Sequence, residues 1–308
     1  MGVPVYFYRA AGVTLACEFP LPGLIAANHH HTVADVRVHF APVPDRLDGA
    51  QNLGPNWQFD ENEFLFLIPG LARFLIVGGR EIRIQPEYAT PHDELAAFLS
   101  GTVLGILLHQ RSRIVLHASA VNVRGRAVLF CGPTGAGKST LAAALDARGY
   151  PVISDDLCAV DVDGHDIPHV APDGRNLKLW PRAIEHLGLE RGPAVRCRIE
   201  KYYVESGAVS YDPMAIGALY VLREALPPHV AGIERPNVAV AALLIRQSAY
   251  CPALVRLMGQ RARYFHAASR LAKAAGIYRL TRALEFARMG EEVGRLEDHW
   301  AAHLAGTN

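Results

Sequence analysis

The sequence predicts an α/β chain: a small β-rich domain over residues 1–88, then a larger domain over 89–308 with a central mixed sheet and flanking helices. Three observations carry that expectation. Residues Gly132-Pro133-Thr134-Gly135-Ala136-Gly137-Lys138-Ser139 match G-x-x-x-x-G-K-[ST] in full, between an apolar run at 127–131 and a helical run at 139–148. Short strand-like runs broken by proline and glycine fill residues 1–88. Apolar stripes at helical spacing recur after residue 89.

In the front domain, residues 3–8 and 33–40 read as strands; the second alternates Val36, Val38 and Phe40 against Arg37 and His39. Pro20, Pro22, Gly23, Pro42, Pro44 and the pair Gly54-Pro55 punctuate them. Residues 64–68, 74–77 and 81–84 add three strands, with Gly78-Gly79 turning the last two into a hairpin. No catalytic cluster stands here. The triplet His29-His30-His31 reads as a solvated loop rather than a metal site, because consecutive side chains diverge on any regular element.

Residues 91–111 read as one helix, with Asp93 and Glu94 in its first turn and Leu95, Phe98, Leu99, Val103, Ile106 and Leu107 along one face. Residues 114–123 and 127–130 form two strands around Arg124-Gly125-Arg126, a tight turn, so the strand feeding the glycine loop has an antiparallel neighbour carrying His117. After the loop helix and the stop at Gly149, residues 151–156 form a short apolar strand that ends in Asp155-Asp156. Residues 177–181 (Leu-Lys-Leu-Trp-Pro) lead into a short helix at 182–187. A strand at 215–222, helices at 238–245, 253–275 and 291–303, and a late strand at 277–280 complete the chain.

Composition narrows the function classes. Net charge is +1 and half of the residues are hydrophobic, which supplies a core and gives no bulk attraction to nucleic acid or membrane. Five scattered cysteines without CxxC spacing suggest a reducing compartment and neither disulfide framework nor zinc site. No basic-then-apolar leader opens the chain, and the longest apolar stretch, 96–108, is too short to span a bilayer. The expected setting is the cytoplasm.

A glycine loop of this kind closes backbone N–H groups around phosphate oxygens at a helix N-terminus that already favours anions. Residues Gly132, Pro133, Thr134, Gly135, Ala136, Gly137, Lys138, Ser139 and Thr140 are therefore the expected nucleotide contacts. Lys138 would reach the β- and γ-phosphates of ATP, and Ser139 would ligand Mg²⁺. Side chains of Asp155 and Asp156 diverge on an extended strand, so one can face the metal and the other an incoming hydroxyl. Residue spacing does not decide between general base and metal ligand for them. His117 is either a packed structural histidine or a partner of the acid pair.

These residues resemble one known family. His117 stands 21 residues before Lys138 and Asp156 18 residues after it, the order and spacing of the catalytic domain of bacterial HPr kinase/phosphorylase. Residues 145–156 also resemble that family's helix–Arg-Gly–strand–Asp-Asp run. With its β-rich front, its Leu-Lys-Leu-Trp-Pro run and Tyr278-Arg279-Leu280, the whole chain looks more like the HPr-kinase-related proteins of lasso-peptide gene clusters. The resemblance implies an HPr-kinase-like P-loop fold and an ATP- and Mg²⁺-dependent kinase acting on a serine or terminal hydroxyl of a peptide or protein; the hexamer and the dephosphorylating activity of the HPr enzymes are not carried over, which leaves a homo-oligomer open. It makes Asp156 the proton acceptor, Asp155 its support or a metal ligand beside Ser139, and His117 part of the catalytic cluster with Lys138. The family's later Glu-Arg-Gly metal signature has no counterpart at Pro172-Asp173-Gly174-Arg175, which leaves Glu200 as a weak second-ligand candidate. The front domain differs from that of the family, so HPr itself is not the expected acceptor. Arg175, Lys178, Arg196, Arg198 and Lys201 are either a phosphate- or peptide-holding group or a solvated surface.

Two readings from other classes compete: a small-molecule or carboxykinase-like kinase, and a regulatory P-loop ATPase that has no acceptor. Two acids after the strand favour a kinase over a switch, and a front domain without chemistry favours a macromolecular acceptor.

Overall fold

The computed structural model describes residues 4–27, 33–88, 90–173, 176–196, 199–205 and 212–304, so the histidine triplet, Gly174, Arg175 and Arg198 lie outside the described residues. The front of the chain folds into an eight-stranded sheet from β1 (Tyr6–Ala10), β2 (Val13–Cys17), β3 (Val36–Phe40), β4 (Asn52–Leu53), β5 (Trp57–Phe59), β6 (Glu63–Ile68), β7 (Ala72–Val77) and β8 (Glu81–Pro86). Its order is β1-β2-β3-β8-β7-β6-β5-β4, with β3 parallel to both neighbours. Strand β2 escapes a sequence reading because Val13–Cys17 does not alternate cleanly: four of its five residues are buried.

One face of this sheet is covered by α1 (His92–Phe98), a π-helical turn (Leu99–Val103) and α2 (Leu104–Gln110). Val36, Phe74, Ile76 and Ile84 meet Leu95, Leu99, Leu104 and Leu108 in one cluster, which Leu157, Ala159 and Leu254 from later in the chain also join. The predicted single helix therefore carries a wider turn at its middle, around Gly101.

The second sheet has nine strands: β9 (Ile114–Leu116), β10 (Ala118–Val123), β11 (Arg126–Cys131), β12 (Val152–Ser154), β13 (Cys158–Asp161), β14 (His169–Ala171), β18 (Met214–Glu224), β19 (Gly232–Glu234) and β20 (Ile277–Arg282). The predicted strand over 114–123 is broken at His117: β9 pairs with β13, whereas β10 pairs with β11 and β12. Arg124 and Gly125 both take positive φ in the two-residue turn between β10 and β11, as a type I′ hairpin requires. β10 is antiparallel to both β11 and β12, and β18 and β20 lie parallel to β11, so β11, β12, β18 and β20 all run the same way. Their C-terminal ends share one edge, where ligands of such sheets bind.

A three-stranded sheet, β15 (Leu177–Leu179), β16 (Ala194–Arg196) and β17 (Ile199–Val204) in the order β15-β17-β16, stands beside that edge. Helices α3 (Lys138–Asp146), α4 (Pro181–Leu187), α5 (Val238–Gln247), α6 (Pro252–Leu257), α7 (Arg261–Ala274) and α8 (Met289–His303) complete the described chain. The predicted helix over 253–275 is two helices, because Gly259 takes φ +66° between α6 and α7. On one face of the nine-stranded sheet Leu244, Tyr264 and Leu271 cover Leu129 and Leu219; on the other, Leu141, Leu145, Val293 and Trp300 cover Val128 and Phe130. The described fold is thus mixed α/β, as the pattern predicts. Among the described residues no helix is long and apolar enough to cross a membrane.

Candidate active site

Strand β11 is buried from Ala127 to Cys131, and the chain leaves it through the loop 132–137 into α3. Gly132 takes φ +153°, and a Cβ there would stand 3.2 Å from the Ala136 Cβ and 3.3 Å from the Leu222 Cβ. Gly137, the N-cap of α3, takes φ +78°, and a Cβ on it would lie 2.3 Å from Nη2 of Arg282. These two positions therefore need glycine. No side chain caps α3, so its first-turn N–H groups are left to an anion.

Lys138 is buried, and its Nζ donates to the carbonyls of Gly132 (2.8 Å) and Pro133 (3.1 Å). Burial lowers its pKa; the charge of Asp156 opposes that, with Cys131 and Asp155 behind it. An ammonium folded onto its own loop could exchange those two carbonyl acceptors for the oxygens of an anion. Beneath the loop, Arg282 is 2% exposed and donates through Nη2 to the carbonyls of Ala136 (2.9 Å) and Gly137 (3.2 Å). Desolvation lowers its pKa, with Glu292 the opposing charge.

The acids follow β12. Its last residue, Ser154, donates through Oγ to the Leu157 carbonyl (2.9 Å), which closes a turn, and Asp156 takes φ +75° inside it. The two carboxylates consequently differ. Asp155 is 2% exposed; its Oδ1 accepts from Ser119 Oγ (2.6 Å), its Oδ2 from the Lys178 N–H (3.3 Å), and its own N–H donates to Asp173 Oδ2 (2.9 Å). The Asp156 side chain is 30% exposed.

His117 occupies the break between β9 and β10. Its backbone N–H donates to the Ser248 carbonyl (2.8 Å). Its Nδ1 lies 3.0 Å from the Asp156 carbonyl and 3.1 Å from Asp156 Oδ1. A carbonyl and a carboxylate only accept, so Nδ1 carries a proton and donates to both. Tyr250 meets the imidazole edge-on at 5.8 Å between ring centroids. A Cβ on Gly105 of α2 would stand 2.6 Å from that tyrosine ring, so this glycine makes room for it.

All of this opens into one cleft of about 640 Å³. Thr134, Gly135, Gly137, Lys138, Ser139 and Thr140 line it together with His117, Asp155, Asp156 and Glu200. The other predicted loop residues turn elsewhere: Gly132 and Pro133 line a second hollow of about 400 Å³ on the β18 side, and Ala136 packs into the core. Phe98, Gly101 and Thr102, from the end of α1 and the π-helical turn, form the facing wall. Lys178, Trp180 and Lys201, from the three-stranded sheet and its exit, form another. Among the described residues no three His, Cys, Asp or Glu side chains are grouped as a metal site. Ser139, Asp155 and Asp156 share the cleft and supply the hard oxygen donors that Mg²⁺ takes alongside phosphate and water.

No protein-family model matches the chain, and no curated protein matches it. Among solved structures, it is similar to the HPr(Ser) kinase/phosphatase from Coxiella burnetii, at 13% identity and a TM-score of 0.33, over 61% of this chain and 97% of that one. A likeness that loose does not by itself fix the fold.

Sequence reasoning missed Ser119, Tyr250, Asp173 and Arg282. Ser119 had a signal: it is two residues from His117, and residues two apart on an extended chain share a face. The others are distant in sequence: Tyr250 and Asp173 lie in loops held by their N–H groups on the Val115 and Ile153 carbonyls, and Arg282 ends β20.

Proposed function

We propose that this protein is an ATP- and Mg²⁺-dependent kinase that transfers the γ-phosphate to a hydroxyl of a peptide or protein. The reading is carried by one observation. A glycine loop with its lysine, and a partly exposed aspartate held by a histidine, open into the same cleft. The resemblance in residues 117–156 agrees with it.

In this reading the amides of the loop and of α3, with Lys138, bind and orient the triphosphate. Mg²⁺, when bound by Ser139 and Asp155, would neutralise charge on the phosphates. Asp156 accepts the proton as the acceptor oxygen bonds to the γ-phosphorus and the bond to the bridging oxygen of ADP breaks. His117 aims Asp156 through its Nδ1–H. Asp155 is the brace: Ser119 and the Lys178 amide hold its carboxylate, and it holds the turn. The acceptor enters along the wall of Phe98, Gly101 and Thr102, where the π-helical turn faces the cleft. A serine or terminal hydroxyl of a ribosomally made precursor peptide encoded beside the gene, such as a lasso precursor, is the first acceptor to try.

The test is incubation with labelled ATP and that peptide, the phosphate being located by mass spectrometry. Asp156→Asn is expected to lower transfer by about 10²–10⁴-fold, the usual worth of a general base, and to leave ATP affinity within a few-fold. Wild-type rates in that variant would remove Asp156 as the base. ATP hydrolysis with no transfer to any hydroxyl would leave the regulatory ATPase in its place.

A further inference from the structure

Trp180 has no role in the chemistry above, yet it stands at the cleft. Along β15 and its exit the residues alternate: Leu177 and Leu179 are each 1% exposed and face the core, which turns Lys178 and Trp180 the other way. Trp180 itself is 51% exposed. The other two tryptophans are packed, Trp57 on Phe64 and Trp300 against Tyr150. Trp180 stacks on no aromatic ring among the described residues; Lys201 Nζ stands over it, 5.4 Å from the ring centroid. A half-exposed indole at the lip of a polar cleft is a surface waiting for a flat apolar partner.

The direction of the cleft says which partner. The Lys138 end, beside the acids, takes the β- and γ-phosphates, and the first turn of α3 leads from there past Ser139 to Thr140. Lys178 is tied to the acid end by the bond from its N–H to Asp155. Two residues further along an extended chain, roughly 7 Å, lies Trp180. Thr140 and Trp180 line the same cleft, and α3 packs on β15. A chain of phosphates that starts at Asp156 therefore hands its nucleoside to the Trp180 side. The volume, about 640 Å³, is within the roughly 300–1,000 Å³ of pockets that enclose small ligands.

We propose that the Trp180 indole is the platform on which the base of the bound nucleoside triphosphate stacks. Lys201 over the ring adds a cation that the base and the phosphates both favour. The proposal rests on the phosphate-loop reading of residues 132–139, and the experiment separates the two. Binding of Mg-ATP and of Mg-tripolyphosphate, which has no base, is measured by calorimetry on the full chain, for wild type, Trp180→Ala and Trp180→Phe. Loss of one base stack is expected to weaken ATP binding about ten-fold in Trp180→Ala. Trp180→Phe, which keeps a ring, should stay within about three-fold of wild type, and tripolyphosphate affinity should be the same in all three. Tryptophan fluorescence should also be quenched by ATP and not by tripolyphosphate. Unchanged ATP affinity in Trp180→Ala, or an equal loss of tripolyphosphate, overturns the platform. An unchanged ATP affinity with a raised KM for a peptide overturns it in favour of an acceptor contact. A wild-type chain that binds neither ligand overturns the phosphate loop, and the platform with it.

Discussion

At the scale of single residues, the site is decided by how two adjacent aspartates are treated. Asp155 is buried and its carboxylate already accepts from Ser119 and the Lys178 amide; Asp156 turns out at φ +75° and meets His117. Alternation along a strand would separate them by orientation alone; the turn closed by Ser154 separates them by burial as well. The second decisive residue is Arg282, whose guanidinium holds the Ala136 and Gly137 carbonyls from below. Hydrogen bonds to a charged group contribute about 1.5–3 kcal/mol in such a setting. Arg282→Met, which keeps the packing volume and removes both bonds, is expected to lower stability by about 2 kcal/mol and weaken Mg-ATP binding several-fold. Thermal unfolding and calorimetry check it; a variant that unfolds early but binds ATP as wild type would confine Arg282 to the fold.

At the scale of elements, two irregularities shape the cleft. The break at His117 lets one run of sequence serve two pairings, β9 with β13 and β10 with β11. The π-helical turn at Leu99–Val103 widens the helix facing the glycine loop and brings Gly101 and Thr102 to the cleft wall. Such single wide turns are a recurring device at functional sites. Gly105, one turn on, accommodates Tyr250, which in turn meets His117. Gly105→Val would drive side-chain atoms into that ring. Overpacking of this kind costs about 1–3 kcal/mol, which outweighs the few tenths gained in helix propensity. Lower Tm together with a lower transfer rate at saturating ATP is expected. An unchanged rate would show that the tyrosine does not position His117.

At the scale of the molecule, the front sheet carries its own pH dependence. Glu81 on β8 accepts two hydrogen bonds from Arg83, 2.9 and 3.0 Å, and lies 2.8 Å from His39 on the parallel strand β3. The Arg83 hydrogen bonds above all, then that to His39, bring its pKa from 4.5 down to about 2 against the effect of burial. A depressed carboxylate stabilises the native state above its unfolded pKa, and that stabilisation is lost as pH falls through the folded one. Glu81→Gln should therefore lower Tm at neutral pH. The gap to wild type should narrow below about pH 4.5 and close near pH 2. A gap that persists at pH 2 would put the effect of Glu81 down to packing. The front sheet shares its core with α1, α2, Leu157 and Leu254, so loosening it also reaches the helix that walls the cleft.

The sequence by itself determined the strand, glycine loop and helix at 127–146, the acid pair, and most strands and helices, because these follow from local periodicity and from glycines whose φ no other residue adopts comfortably. The stop at Gly149 and the hairpin at Arg124-Gly125 were legible for the same reason. Only the tertiary structure decided which aspartate is buried, that His117 is a strand break, that Arg282 underpins the loop, and that Trp180 faces the cleft. Those outcomes depend on partners 18 to 146 residues away in sequence, brought together by the tertiary fold. Burial and hydrogen bonding between such partners leave no period in the sequence for a reader to find.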